Sequence, residues 1–378
     1  MQRKTALLAL AVTGILGIAF AQQKGPPQPP LSACGVSGEV EIVCGTRSPE
    51  DLELTPDGKL LIVSQFGNNP AAAAAGSVGL SLFDPAKKTF TKMAVTDEPL
   101  KEWGDAACPG PIGASLSAHG TSMSKRSNGK MQVFIVNHGG RESIEMYEVK
   151  QSGGSWGLVW HGCVLTTQAF NDVAAMADGG FIATKPTALQ APPAQAKGDA
   201  KAKGDAKAKA PAPAAPPAAA AISGYVSRWT PGKGEVELPG TRSAYPNGVV
   251  ASSDGRTIYI AVWRAMEVHK YDLRENKETA VVKLDFMPDN ITWTKKNQIL
   301  AAGIKGIGGD CPAGSGAPCI QGFGVAAIEP GKMIAKTVFD SVGKAPLISG
   351  VSVALQMGNA VYVGAFQGDR IVKVNWKE

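Results

Sequence analysis

Polar residues recur in step along this chain, and their types suit the binding of a hard cation. The stretches SPEDLELTPDG, AFNDVAAMADGG, AYPNGVVASSDG and FMPDNITWTKKN each place an acid or an amide before a short apolar run and then a turn. Glu50, Asp51, Asn171, Asp172, Asn247, Asp289 and Asn290 occupy the recurring position. One such residue would more simply shape a turn. Four equivalent positions in four repeats ask for a shared partner. Calcium takes six to eight oxygen ligands from carboxylates, amides, backbone carbonyls and water. Glu50, Asn171, Asn247, Asp289 and Asn290 offer that oxygen set, which suits neither zinc nor copper.

Histidine is the second chemical group. Of four histidines, His119 in SAHGTSMS stands in phase with the polar positions, and His138 in VFIVNHGG ends the next strand of the same unit. Antiparallel neighbours would bring the two imidazoles to one end of a shared channel, where one can act as a general base near neutral pH. His161 and His269 have no such company. No G-x-S-x-G elbow is present, and the Gly-rich GIKGIGG lacks a strand–turn–helix setting for phosphate.

Six turn-and-strand units must position these groups. Pro56-Asp57-Gly58 precedes KLLIVS, Asn128-Gly129 precedes KMQVFIVN, and Asp178-Gly179-Gly180 precedes FIAT. Ser253-Asp254-Gly255 precedes RTIYIAV, Lys296-Asn297 precedes QILAAG, and Met357-Gly358-Asn359 precedes AVYVGAF. The turns tolerate the positive φ of tight hairpins, and the runs favour strands. GLSLFD, SIEMYEV, VSRWTP and EVHKYDL read as further strands between them. Helical periodicity is weak. The pattern predicts an all-β, six-bladed propeller over residues 34–378 as one domain, with a central calcium site. The polar residues would then start the inner strands and converge on the axis from four blades.

The remaining features bound compartment and partners. Arg3 and Lys4, an apolar run from Ala6 to Phe20 and Ala19-Phe20-Ala21 read as a signal peptide over 1–21, cleaved before Gln22. No stable membrane span is expected, and the product would be periplasmic or secreted. Residues 22–33 read as a flexible lead. Ala191 to Ala221, rich in Ala, Lys and Pro, has no aromatic or β-branched residue and reads as a disordered insertion. The leader and this insertion hold most of the formal +6, so the folded body is nearly neutral. It lacks the dense basic face that nucleic acid requires. The six cysteines read as disulfides: Cys34 with Cys44, Cys311 with Cys319 and, by elimination, Cys108 with Cys163.

SPEDLELTPDG, AHGTSMS, VFIVNHGG, FNDVAAM, PNGVVASSDGRTIYIA and MPDNITW occur in the order found in the paraoxonase family of calcium-dependent lactonases and arylesterases. The chain resembles that family from about Pro49 to its C-terminus, where VYVGAFQGDRIVKVNW is similar to the family's closing strand pair. Gluconolactonase and strictosidine synthase-like propellers are wider relatives. The resemblance implies a catalytic calcium held by Glu50, Asn171, Asn247, Asp289 and Asn290, and a structural calcium near Asp51 and Asp172. It implies that His119 and His138 form the pair used in lactone hydrolysis, on a small-molecule ester or lactone. The chain departs from the family in its leader, its lack of a C-terminal cysteine, the GIKGIGGDCPAGSGAPC loop and the low-complexity insertion. Two other readings stay open: a calcium-stabilised binding propeller without activity, and a sugar-acid lactonase of the gluconolactonase kind.

Overall fold

The computed structural model describes residues 30–67, 79–189, 221–305 and 322–376. The expected signal peptide, most of the lead, all of the insertion but Ala221, and the Cys311–Cys319 pair lie outside these residues.

Each of the six turn signals forms the hairpin that joins the first and second strands of a blade. The first strands are Pro49–Leu54, Ala118–Lys125, Val173–Ala175, Pro246–Ala251, Met287–Trp293 and Val351–Met357. Their partners are Leu61–Gln65, Met131–Asn137, Phe181–Lys185, Thr257–Val262, Ile299–Ile304 and Ala360–Ala365. Two or more further strands complete each sheet, and the six sheets form a β-propeller. Two short 3-10 turns, Gly113–Ser115 and Trp263–Ala265, are the helical structure among the described residues. No helix there is long and apolar enough to cross a membrane.

The second strands are mostly apolar and almost wholly buried because both of their faces are covered. In TIYIAV, Ile258, Ile260 and Val262 pack towards the third blade, while Tyr259 and Ala261 pack towards the fifth. Six such clusters lie between successive blades around the ring. Phe181 shows how they are filled. It is fully buried, stacks on Trp229 at 5.4 Å and meets the edges of Phe134 and Phe170. Truncating such a side chain to alanine costs about 3–5 kcal/mol. The outermost strands, such as Lys277–Lys283, are largely exposed and charged, which protects their free edges.

The ring closes through its two ends. The strand Val40–Cys44 pairs antiparallel with Arg370–Asn375, so the sixth blade contains both early and late chain. Cys34 and Cys44 form a disulfide that ties down the adjoining Gly35–Ser37 strand. The second blade carries an extra strand, Ala94–Asp97, parallel to Ser155–Leu165. The segment after it is held by the Cys108–Cys163 disulfide and by Trp103, buried with the Arg126 guanidinium 4.0 Å from its ring centroid.

Candidate active site

One backbone irregularity presents the polar residues. At the start of every first strand a β-bulge sets two residues against one of the partner strand. In the first blade the register jumps at Glu50, between the pairs Pro49–Gln65 and Asp51–Ser64. In the second, fourth and fifth blades it jumps across His119-Gly120, Asn247-Gly248 and Asp289-Asn290. In the third, Asn171 donates its N–H to Thr184 O, and the Thr184 N–H returns to Asp172 O. The sixth blade repeats the jump at Ser352. A bulge re-aims side chains that a regular strand would send to opposite faces. Here it gives all six blades a polar first position: Glu50, His119, Asn171, Asn247, Asp289 and Ser352.

The second bulge position needs room. A Cβ on Gly120 would lie 2.4 Å from Asp172 Oδ1, and one on Gly248 would lie 2.4 Å from the Asp289 carbonyl oxygen. Small residues in the second and fourth blades therefore let the polar groups of the third and fifth reach inward.

Glu50, Asn171, Asn247, Asp289 and Asn290 are all buried. Asn290 Nδ2 donates to Glu50 Oε1 at 2.9 Å, which joins the fifth blade to the first. Glu50 Oε2 and the Oδ1 atoms of Asn171, Asn247 and Asn290 are buried with no hydrogen-bond partner. Buried acceptors are rarely left this way. Four from the same bulge layer match a cation that binds oxygen. Among the described residues no three His, Cys, Asp or Glu side chains form a metal cluster by themselves. The donor set is instead rich in amides, which fits a hard divalent ion and gives a thiophilic metal nothing to bind.

The electrostatics agree. Burial drives the Glu50 pKa up to about 8 against the Asn290 hydrogen bond. Burial, then the Glu50 charge, holds Asp289 well above the usual carboxylate range. Burial and Glu50 raise Asp51 to about 8, and burial with Asp51 raises Asp172. No lysine or arginine is among the charges acting on these four carboxylates.

His119 and His138 meet at the same layer. His119 Nδ1 and His138 Nε2 share a hydrogen bond of 2.8 Å, and His119 Nε2 lies 3.3 Å from Glu50 Oε1. Phe66 stacks on the His119 ring at 4.4 Å and presents an edge to His138. Burial lowers the His119 pKa to about 4, so the ring is neutral at pH 7 and able to accept a proton. His161, by contrast, is buried away from this layer between the Glu98 carbonyl and Glu148.

Asp51 and Asp172 differ from their neighbours. Asp51 Oδ1 accepts from Leu52 N, and Oδ2 accepts from Thr121 N and Oγ1 in the second blade. Asp172 Oδ1 accepts from Val173 N, and Oδ2 accepts from Val249 N in the fourth blade. Both line an axial cavity of about 840 Å³, with Glu53, Met123 and Trp293. The other five expected ligands and both histidines are absent from its lining. Of the seven expected ligands, Asp51 and Asp172 are the two that line this cavity. Sequence reasoning did not single out Phe66, which follows the strand run LIVSQ without a motif of its own.

No known family's sequence pattern matches the chain, and no curated protein matches it in sequence. Solved structures do resemble it. One, described as a gluconolactonase, is 14% identical, covering 90% of this chain and 93% of that one with a TM-score of 0.46. Another, a luciferin-regenerating enzyme, is 12% identical, covering 89% and 94% with a TM-score of 0.48. Likenesses this distant carry no argument about the site, which rests on the geometry above.

Proposed function

We propose that this chain is an exported, calcium-dependent hydrolase of lactones or aryl esters, acting on the histidine side of the bulge layer. The four partnerless oxygens next to a hydrogen-bonded histidine pair carry the reading. Glu50, Asn171, Asn247, Asp289 and Asn290 would hold the ion. When bound, calcium supplies a Lewis acid that polarises a carbonyl oxygen. We assign a second, structural calcium to Asp51 and Asp172, two buried carboxylates whose Oδ1 atoms each accept a single hydrogen bond and keep a lone pair for an ion. The two disulfides support a reading of export to an oxidising compartment.

The chain's own part in the reaction follows from the histidines. His119 is neutral, and its lone pair can take a proton from an attacking water. His138, bonded to His119 Nδ1, orients the ring. Phe66 packs flat against His119, holding the imidazole and keeping bulk water off one face. The near-neutral body favours an uncharged ester or lactone.

The test is hydrolysis of phenyl acetate and of short and long alkyl lactones, with calcium and with chelator, by the wild type, His119→Gln and Asn290→Ala. Activity lost on chelation and in both variants supports the assignment. Calcium-dependent thermal stability without hydrolysis of any ester or lactone would sink it.

A further inference from the structure

Beyond the histidine pair stands a carboxylate with no role so far. Glu142 Oε2 lies 2.7 Å from His138 Nδ1. We infer that Glu142 is a positioning residue that fixes the protonation pattern of both histidines, through an unbroken line Glu142–His138–His119. This deepens the hydrolase reading and rests on it.

The logic is directional. A carboxylate can only accept, so His138 Nδ1 must donate. In a neutral ring Nε2 is then the acceptor. His119 Nδ1, 2.8 Å away, must therefore be the donor. That leaves the lone pair of His119 on Nε2, the nitrogen facing Glu50 and the partnerless oxygens. Glu50 Oε1, 3.3 Å from His119 Nε2, favours the opposite pattern with an N–H on that nitrogen; Glu142, at the shorter 2.7 Å from His138 Nδ1, opposes it, and without Glu142 the His119 Nε2 lone pair would become an N–H. A ring nitrogen's state is set by the hydrogen bond made by the other nitrogen.

The backbone around Glu142 is built to hold it. Asn137, fully buried, donates Nδ2 to the carbonyls of Gly139 and Arg141 and accepts on Oδ1 from the N–H groups of Ser117 and Gly139. The Arg141 guanidinium bonds Glu145 and the Gly110 carbonyl. The His138 N–H reaches Ser117 O, and the Thr166 N–H reaches Glu142 O. This turn is fastened on both flanks, whereas an incidental surface ion pair has no such frame. The Glu142 side chain is 36% exposed, so the line begins at solvent and ends at the buried layer.

The full chain, labelled with ¹⁵N histidine, tests this through the ring-nitrogen spectra, together with kcat and KM on phenyl acetate. In the wild type, Nδ1 should carry the proton in both His119 and His138. Glu142→Ala should change that pattern in both rings and lower kcat roughly 10- to 100-fold, with KM within about twofold and Tm nearly unchanged. Glu142→Gln, whose carbonyl can still accept from Nδ1, should restore the pattern and most of kcat. A wild type with an unprotonated His138 Nδ1 overturns the inference, whatever the fate of the variants. So does Glu142→Ala with an unaltered pattern and kcat. If the wild type hydrolyses nothing, the hydrolase reading fails, and the ring-nitrogen pattern alone still decides the role of Glu142.

Discussion

Two of the bulges pair residues that lead different lives. In the first and third blades, Glu50 and Asn171 keep an oxygen without a partner, while Asp51 and Asp172, one residue on, have every oxygen engaged by a neighbour. In these two blades the first position holds oxygens in reserve for a ligand, as Asn290 does from the second position of the fifth. The second stitches the first blade to the second and the third to the fourth. All four carboxylates of the layer are buried and raised in pKa, so burial does not tell a binding group from a structural one. The distinction lies in what each oxygen already touches.

The largest effect should come from the reserve side. Asn290→Ala removes one partnerless oxygen and the donor to Glu50, and should lower kcat/KM for phenyl acetate by roughly 10³-fold or more. Asp172→Asn should instead act on stability, costing about 1–3 kcal/mol in denaturant titrations because an amide N–H then faces the Val249 N–H. Equal loss of activity in the two would dissolve the contrast.

Next is His119→Gln, which should lower kcat by about 10²-fold while leaving the melting temperature close to that of the wild type. A large fall in Tm would make His119 part of the stitching.

A third effect is on stability against pH. Glu50 and Asp51 have folded pKa values of about 8, raised above their ordinary values of 4.5 and 3.8. Their contribution to stability is therefore fully present at acid pH and is lost as pH rises towards 8. In chelator, Tm should fall by about 5–10 °C between pH 5 and pH 8. Saturating calcium should remove most of that fall by compensating the ionised forms. A chelated protein that grows more stable over this range would contradict the burial argument.

The smallest effect sharpens the stitching side. Thr121→Val deletes the hydroxyl bond to Asp51 Oδ2 and keeps the backbone bond, so it should cost about 1 kcal/mol by denaturant titration, with kcat unchanged.

The ring was legible in the sequence because second strands covered on both faces must be apolar runs, and each follows a turn rich in Gly, Asn or Asp. The bulge residues were legible as a group because the same polar pair recurs at the same phase, as in Asn171-Asp172 and Asp289-Asn290. The split within the pair, with Asp51 and Asp172 set apart from Glu50 and Asn171, came from the family resemblance and not from the repeat. Adjacent residues differ only in where a bulge aims them, and sequence period does not encode that. Phe66 and Glu142 were missed for another reason. Each acts alone, outside any repeat: Phe66 reaches His119 through folding of the first blade against the second, and Glu142 reaches His138 through the turn that follows it. The parallel Ala94–Asp97 strand, exposed and short, gave no apolar signal.

The pairing of Val40–Cys44 with Arg370–Asn375 has a temporal consequence. A ribosome delivers Val40 long before Val374, its partner across the last sheet. Blades one to five can acquire their strands in order as the chain lengthens, but the sixth must wait for the final residues to return to the first. Contacts so distant along the chain slow folding. Until they form, the first and fifth blades each keep an apolar face uncovered, including Leu52 and Val63 on one and Leu300 and Val325 on the other. Vulnerability to aggregation or proteolysis should therefore peak just before synthesis ends, and the last strand acts as the latch that ends it.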